Sequence, residues 1–190
     1  MTKKKTKSKG KIITGPTYLT ILRMILAVVF VAIVQLPDNP AKIGALIVFI
    51  IAAITDKIDG IWARKQKIVT DMGAFLDPLA DKMLVDLALL VLVYLGIIPL
   101  WVFAVILVRD LAVDGMRMML ARDGVTVAAS FYGKLKTTMQ MIALIIILFN
   151  TIVQVDALAI IGNVTLYVAL VLTVFSGWDY LYKGYKAIIK

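Results

Sequence analysis

Aspartate is the only acidic side chain in this chain: twelve acids, all Asp, with no Glu, His or Cys among 190 residues. That restriction removes whole classes of chemistry. A Ser-His triad, a thiolate nucleophile, a His/Cys zinc site, an iron-sulfur cluster and a His/Cys-ligated haem each need a side chain the sequence lacks, and no disulfide framework is possible. Four of the aspartates are spaced in a way that could do chemistry. Asp56 and Asp59 stand three residues apart, and Asp77 and Asp81 four apart, so each pair projects from one helix face. The stretch from Lys65 to Leu76 is long enough to return the chain antiparallel, which lets the two pairs face each other at one depth.

Four carboxylates in an apolar setting need a counter-charge. A lone Asp in mid-span costs roughly 2.5 to 3.5 kcal/mol on insertion scales, so four near the hydrocarbon boundary could cost up to about 10 kcal/mol uncompensated. Two hard divalent cations would neutralise them, and ligation by oxygen alone selects Mg2+ or Mn2+ over a softer metal. The competing explanation for Asp77 is a helix cap, since Pro78 follows it and proline suits the first helical position. Gly60 and Ala63 leave room beside the acids and Gly73 lets backbone approach a ligand, although close helix packing explains the same residues. Arg64 could hold a phosphate oxygen or anchor the chain at the cytoplasmic interface.

The elements that must position these acids are membrane helices. With 62% of residues hydrophobic and 17% charged, the chain is too apolar for an ordinary soluble domain. About 20 apolar residues cross the hydrocarbon layer, and apolar segments recur at 18–36, 43–63, 79–95, 98–120, 135–149 and 157–182. The expected fold is an all-α integral membrane bundle of six transmembrane helices, forming one domain over 16–190 behind a Lys-rich tail, 1–15, too polar to pack. Lys and Arg collect on one side, in the tail, at 64–67, 117, 122, 134 and 136 and near the C-terminus, with only Lys42 on the other. Both termini and the acids are therefore expected at the cytoplasmic face, with short outer turns near Asp38, Gly96 and Gln154. The net charge of +9 flanks apolar segments rather than forming a stripe on a soluble fold, which fits anionic lipid head groups and no nucleic-acid partner.

The run D-x-x-D-G-x-x-A-R, followed after eight residues by G-x-x-x-D-x-x-x-D, resembles the signature of the CDP-alcohol phosphatidyltransferases, with every fixed position present. The resemblance extends from Pro16 to Lys186. It implies a six-helix membrane enzyme, homodimeric, that binds two divalent metals and moves a phosphatidyl group from a CDP-linked lipid to an alcohol. It also implies that Asp56, Asp59, Asp77 and Asp81 bind the metals, that Asp81 is the base, and that Gly60, Ala63, Arg64 and Gly73 contact the cytidine diphosphate. The family's P-N-x-x-T-x-x-R entry to the first helix is matched at Pro16, Thr20 and Arg23, with Thr17 in place of Asn.

A second set of cations lies outside that signature. Arg109 and Arg117 are eight residues apart, about 80 degrees around a helix, so both can look into one cavity. Arg109 lies near mid-span, where an idle charge is costly. With the stretch 133–140, GKLKTTMQ, these residues resemble the branch of the family that takes CDP-diacylglycerol as donor and sn-glycerol 3-phosphate as acceptor, which implies acceptor-phosphate contacts from Arg109, Arg117, Lys134, Lys136 and Thr137. Interfacial snorkelling is the alternative for the two lysines. Asp114 sets a negative charge one turn from Arg117, and Asp86, about 140 degrees around its helix from Asp81, has Arg109 as a candidate partner. The alternatives to this reading are a sister transferase acting on inositol phosphate or phosphatidylglycerol, a membrane prenyltransferase, and an ion transporter with Asp and Arg in a relay.

Overall fold

The computed structural model describes the backbone of residues 15–66, 71–122 and 131–188, and side chains over 18–55, at 80, and over 82–120 and 131–186. Six helices fill it: α1 Gly15–Val34, α2 Asn39–Gln66, α3 Asp71–Tyr94, α4 Leu100–Arg122, α5 Phe131–Val153 and α6 Asp156–Ile188.

The tight turns fall at the three places the charge pattern reserved for them, and each has a local cause. Asp38 opens α2 with its carbonyl accepting the Lys42 N–H at 3.1 Å, and Pro40 sits in the first turn, where no N–H is needed. Gly96 ends α3 at φ +69°. There the Ile97 N–H reaches the Leu92 carbonyl and the Gly96 N–H the Val93 carbonyl, the paired bonds of a Schellman stop. Gln154, at φ 54°, turns the chain after α5; the Asn150 side-chain oxygen accepts the Val155 N–H at 2.8 Å. Asn150 thus closes the helix through its side chain, and α5 runs past it to Val153.

One boundary differs from the sequence expectation. Helix α3 starts at Asp71, so part of the stretch 65–76 expected as the connection is helical, and Asp77 and Pro78 lie inside the helix. Asp77 is therefore not an N-cap. Pro78 instead sits in the helix interior, where it leaves the Ala74 carbonyl without its usual N–H donor.

The chain forms two compact units, one through Leu87 and one from Ala88 onward. In the first, α1 packs on α2. Thr20, Arg23, Ala27, Phe30 and Val34 are the buried residues of α1, and their alternating spacing of three and four keeps them on one face. They meet Ala45, Phe49 and Ala52 of α2, with the Phe30 and Phe49 rings 5.5 Å apart.

In the second unit, α6 packs against both α4 and α5. Lipid tails are as apolar as leucine, so close van der Waals fit rather than water exclusion must hold such helices together. Glycines on α6 provide that fit. Cβ atoms built at Gly177 and Gly184 would lie 2.7 Å from Arg109 and from Met116 respectively, and one at Gly162 would lie 2.7 Å from Ile147 of α5. Both α4 contacts share one offset in numbering, so α4 and α6 run parallel in a fixed register.

The opposite side of α6 is apolar and exposed, with Ile160, Val164, Val168, Val171, Phe175 and Trp178 outward. An uninterrupted stripe of this kind suits lipid rather than water. Among the described residues, 131–153 and 156–186 are long and apolar enough to cross a membrane, while α1 and α2 carry shorter apolar stretches, Tyr18–Val34 and Asn39–Thr55.

These contacts predict opposite outcomes for two glycines. Gly162→Ala should destabilise by about 1–3 kcal/mol, because its methyl meets Ile147 and Ile146. Gly115 on α4 has open space around it, so Gly115→Ala should be neutral or stabilise by up to about 1 kcal/mol. Thermal unfolding of detergent-solubilised protein measures both.

Candidate active site

The pairs Asp56/Asp59 and Asp77/Asp81 lie on helical backbone, late in α2 and early in α3. Their spacing therefore corresponds to adjacent turns of one helix in each case. The side chains of Asp56, Asp59, Asp77 and Asp81, and the positions of Gly60, Ala63, Arg64 and Gly73 beyond the helix backbone, lie outside the described residues.

On α1, Thr20 and Arg23 extend the buried apolar face as its polar end, and both are almost fully buried. The α1–α2 register is antiparallel: Phe30 meets Phe49, and Ile33 approaches Gly44. Continuing it along the two helices brings Arg23 to the level of the α2 turn that opens the D-x-x-D run. Sequence reasoning gave this arginine no function; the structure buries it at the polar end of the helix pair.

The second set of cations is well described, and it is built around a residue the sequence reading passed over. Asp110, 4% exposed in mid-α4, accepts hydrogen bonds from Lys136 of α5 at 2.6 Å on Oδ1 and 2.7 Å on Oδ2. Arg109 donates to the same Oδ1 from Nη1 at 2.8 Å. The Arg109 guanidinium also reaches α6, with Nε donating to the Thr173 carbonyl at 3.0 Å and Nη2 to the Ser176 hydroxyl at 2.8 Å. Arg109 thus takes its counter-charge from its own neighbour, where the sequence pointed to Asp86.

Each helix contributes for a local reason. Gly177 removes the Cβ that would otherwise collide with Arg109 Cγ and Nε. Thr173 turns its own hydroxyl back to the Ala169 carbonyl at 2.6 Å, which leaves its carbonyl facing Arg109. Lys136, 4% exposed, lies on the buried face of α5 with Gln140, Ala143, Leu144, Ile147 and Leu148. Gln140 is one turn from Lys136 and 2% exposed, and its Nε2 has no hydrogen-bond partner among the described residues.

Among the described residues, these contacts join two cations to one carboxylate, an arrangement suited to an anion. A guanidinium has five N–H donors; three of those of Arg109 are committed within the protein. The other two have no partner among the described residues and can serve a ligand.

The other predicted phosphate contacts are placed differently. Arg117 is exposed, with its guanidinium carbon 5.7 Å from the centre of the Tyr180 ring, a cation–π distance. Ser176 and Tyr180 are one turn apart on α6, so Arg109 and Arg117 approach the same helix at successive turns. Lys134 and Thr137 are exposed, and the Thr137 hydroxyl donates to the Gly133 carbonyl at 3.1 Å. The structure therefore joins Arg109 and Lys136 but does not join Lys134 or Thr137 to them.

A CDP-alcohol phosphatidyltransferase family model matches residues 13–175. The chain is 38% identical over 185 residues to the CDP-diacylglycerol–glycerol-3-phosphate 3-phosphatidyltransferase of Bacillus subtilis, covering 91% of this chain and 96% of that one. It is 40% identical over 172 residues to the protein of the same name from Sodalis glossinidius, covering 88% and 92%. A probable phosphatidylglycerophosphate synthase of Mycobacterium tuberculosis is 35% identical over 183 residues, covering 95% and 86%.

Burial separates the two lysines in a stability experiment. Lys136→Met removes both of its bonds to a buried carboxylate that keeps Arg109, and should cost about 3 kcal/mol. Lys134→Met, at an exposed position, should stay within about 0.5 kcal/mol. Denaturation of the two variants in the same detergent compares them directly.

Proposed function

Because the chain belongs to the CDP-alcohol phosphatidyltransferase family, we propose that it transfers the phosphatidyl group of CDP-diacylglycerol to sn-glycerol 3-phosphate, giving phosphatidylglycerophosphate and CMP. One observation carries the choice of acceptor: Arg109 and Lys136 converge on one buried carboxylate. A neutral or zwitterionic alcohol would have no use for such a pocket, whereas an acceptor with its own phosphate would. The names of the relatives point the same way.

The donor side rests on the aspartates. Their chemistry fits divalent metals, since four carboxylates on two helices offer only hard oxygen ligands. In this reading Asp56, Asp59, Asp77 and Asp81 hold two Mg2+ or Mn2+ ions, which when bound neutralise the diphosphate and polarise the phosphorus under attack. Gly60, Ala63, Arg64 and Gly73 border the cytidine diphosphate. The acceptor hydroxyl forms the new P–O bond as the bridging P–O bond to CMP breaks, and Asp81 receives the hydroxyl proton.

Arg109 and Lys136 form the centre of the acceptor site, with Arg117 one α6 turn along. Lys134 and Thr137 are outer contacts, because both face away from the buried cluster. The six helices all span the membrane, residues 16–190 form a single catalytic domain behind the basic tail 1–15, both termini face the cytoplasm, and two copies associate as a homodimer. The apolar exposed side of α6 supports the membrane setting, and the Lys/Arg bias supports the orientation.

The test is CMP release by purified protein given CDP-diacylglycerol and each of several acceptors. Glycerol 3-phosphate should be the substrate used, chelation of divalent metal should stop the reaction, and Asp81→Asn should lower kcat by about 10^2–10^4. Turnover of inositol phosphate or phosphatidylglycerol in its place would reassign the branch. Turnover of a prenyl diphosphate without CMP, or liposome ion flux that survives Asp81→Asn, would reassign the class.

A further inference from the structure

We propose that Asp110 is a positioning residue for the acceptor phosphate: it holds Arg109 and Lys136 close enough together to act as one anion-binding unit, while α6 fixes the direction in which Arg109 points. The proposal rests on the acceptor reading above and adds a residue, and a reason, that the reading does not contain.

Two cations do not approach each other in a buried site without an anion between them, because their repulsion is weakly screened there. Here Arg109 Nη1 and Lys136 Nζ bond to the same oxygen, Asp110 Oδ1, at 2.8 and 2.6 Å, so they are separated by no more than two hydrogen-bond lengths. At that spacing each cation can reach a different oxygen of one phosphate group. Lys136 is held by both carboxylate oxygens, which fixes its flexible four-carbon stem. Arg109 is fixed on three sides, by Asp110, by the Ser176 hydroxyl and by the Thr173 carbonyl.

The same geometry contains a rival with the opposite sign. Asp110 could compete with a phosphate for Lys136, in which case removing the carboxylate would tighten acceptor binding. The shared oxygen decides for positioning: without it the two cations repel across the gap it bridges, and the pair opens. Gly177 adds an independent constraint, since its missing Cβ is the space occupied by Arg109 Cγ and Nε. Arg109 therefore cannot move toward α6 when its other contacts weaken.

Steady-state assays of the full-length protein in mixed micelles, read by CMP release, test this. Asp110→Asn should raise the KM for glycerol 3-phosphate at least tenfold, change kcat less than KM, and leave the KM for CDP-diacylglycerol within twofold. In a Lys136→Gln background, adding Asp110→Asn should cause a smaller loss than it does alone, because with one cation already gone there is no repelling pair for the carboxylate to hold together. If Asp110→Asn does not accumulate as folded protein, Ser176→Ala and Gly177→Ala replace it, each expected to raise the acceptor KM at least threefold with the donor KM unmoved. An unchanged or lower acceptor KM overturns the proposal, as does a parallel rise for both substrates. Wild-type protein inert toward glycerol 3-phosphate would overturn the acceptor assignment and this proposal with it, whereas an active wild type with an indifferent Asp110 variant would overturn this proposal alone.

Discussion

A carboxylate with two cations on it holds the second half of the molecule together. Asp110 belongs to α4, Lys136 to α5, and Arg109 carries the network on to Ser176 and Thr173 of α6. In water such a buried network would be a doubtful source of stability, since desolvation offsets most of the attraction. Inside a membrane bundle the comparison changes. Apolar packing between helices gains little over contact with lipid, and polar groups that leave the network have few partners to turn to. The ion cluster thus selects one arrangement of three helices, and the glycines of α6 allow them near enough to form it.

The first unit is organised on a different principle. The faces of α1 and α2 meet through Ala27, Phe30, Ala45, Phe49 and Ala52, an apolar seam with an aromatic pair in its centre. Its polar residues, Thr20 and Arg23, are confined to the end where α2 approaches its aspartates. Each unit thus combines an apolar seam with a few buried polar residues, Thr20 and Arg23 in the first and Asp110 and Lys136 in the second.

Much of this was legible in the sequence, for reasons that differ by residue. The helices were visible because a membrane segment must be apolar along its whole length, and the turns near Asp38, Gly96 and Gln154 because they fall in the gaps between apolar segments. The aspartate motif was readable because all of its positions lie within 26 consecutive residues, on two neighbouring helices. The connection before α3 is shorter than the stretch 65–76 suggested, because the helix begins at Asp71, ahead of its apolar run, and the cap-like chemistry of Asp77-Pro78 does not reveal that. Arg109 was conspicuous as a charge in mid-span. Asp110 beside it was not, since its meaning depends on Lys136, 26 residues away, and on a groove in α6 that contains only a serine, a carbonyl and a glycine.

The paired contacts between α4 and α6 carry a consequence for how such a chain can vary over time. Arg109 fits the notch at Gly177 and Met116 the notch at Gly184, two teeth of a rack engaged seven residues apart on both helices. Gaining or losing one residue between the teeth would rotate everything beyond it by about 100 degrees and disengage one of them. Changes of length are therefore tolerable in the segments that join helices but not along this stretch of α4 or α6. Lineages that diverge in acceptor should do so by exchanging side chains around a rack whose length is preserved.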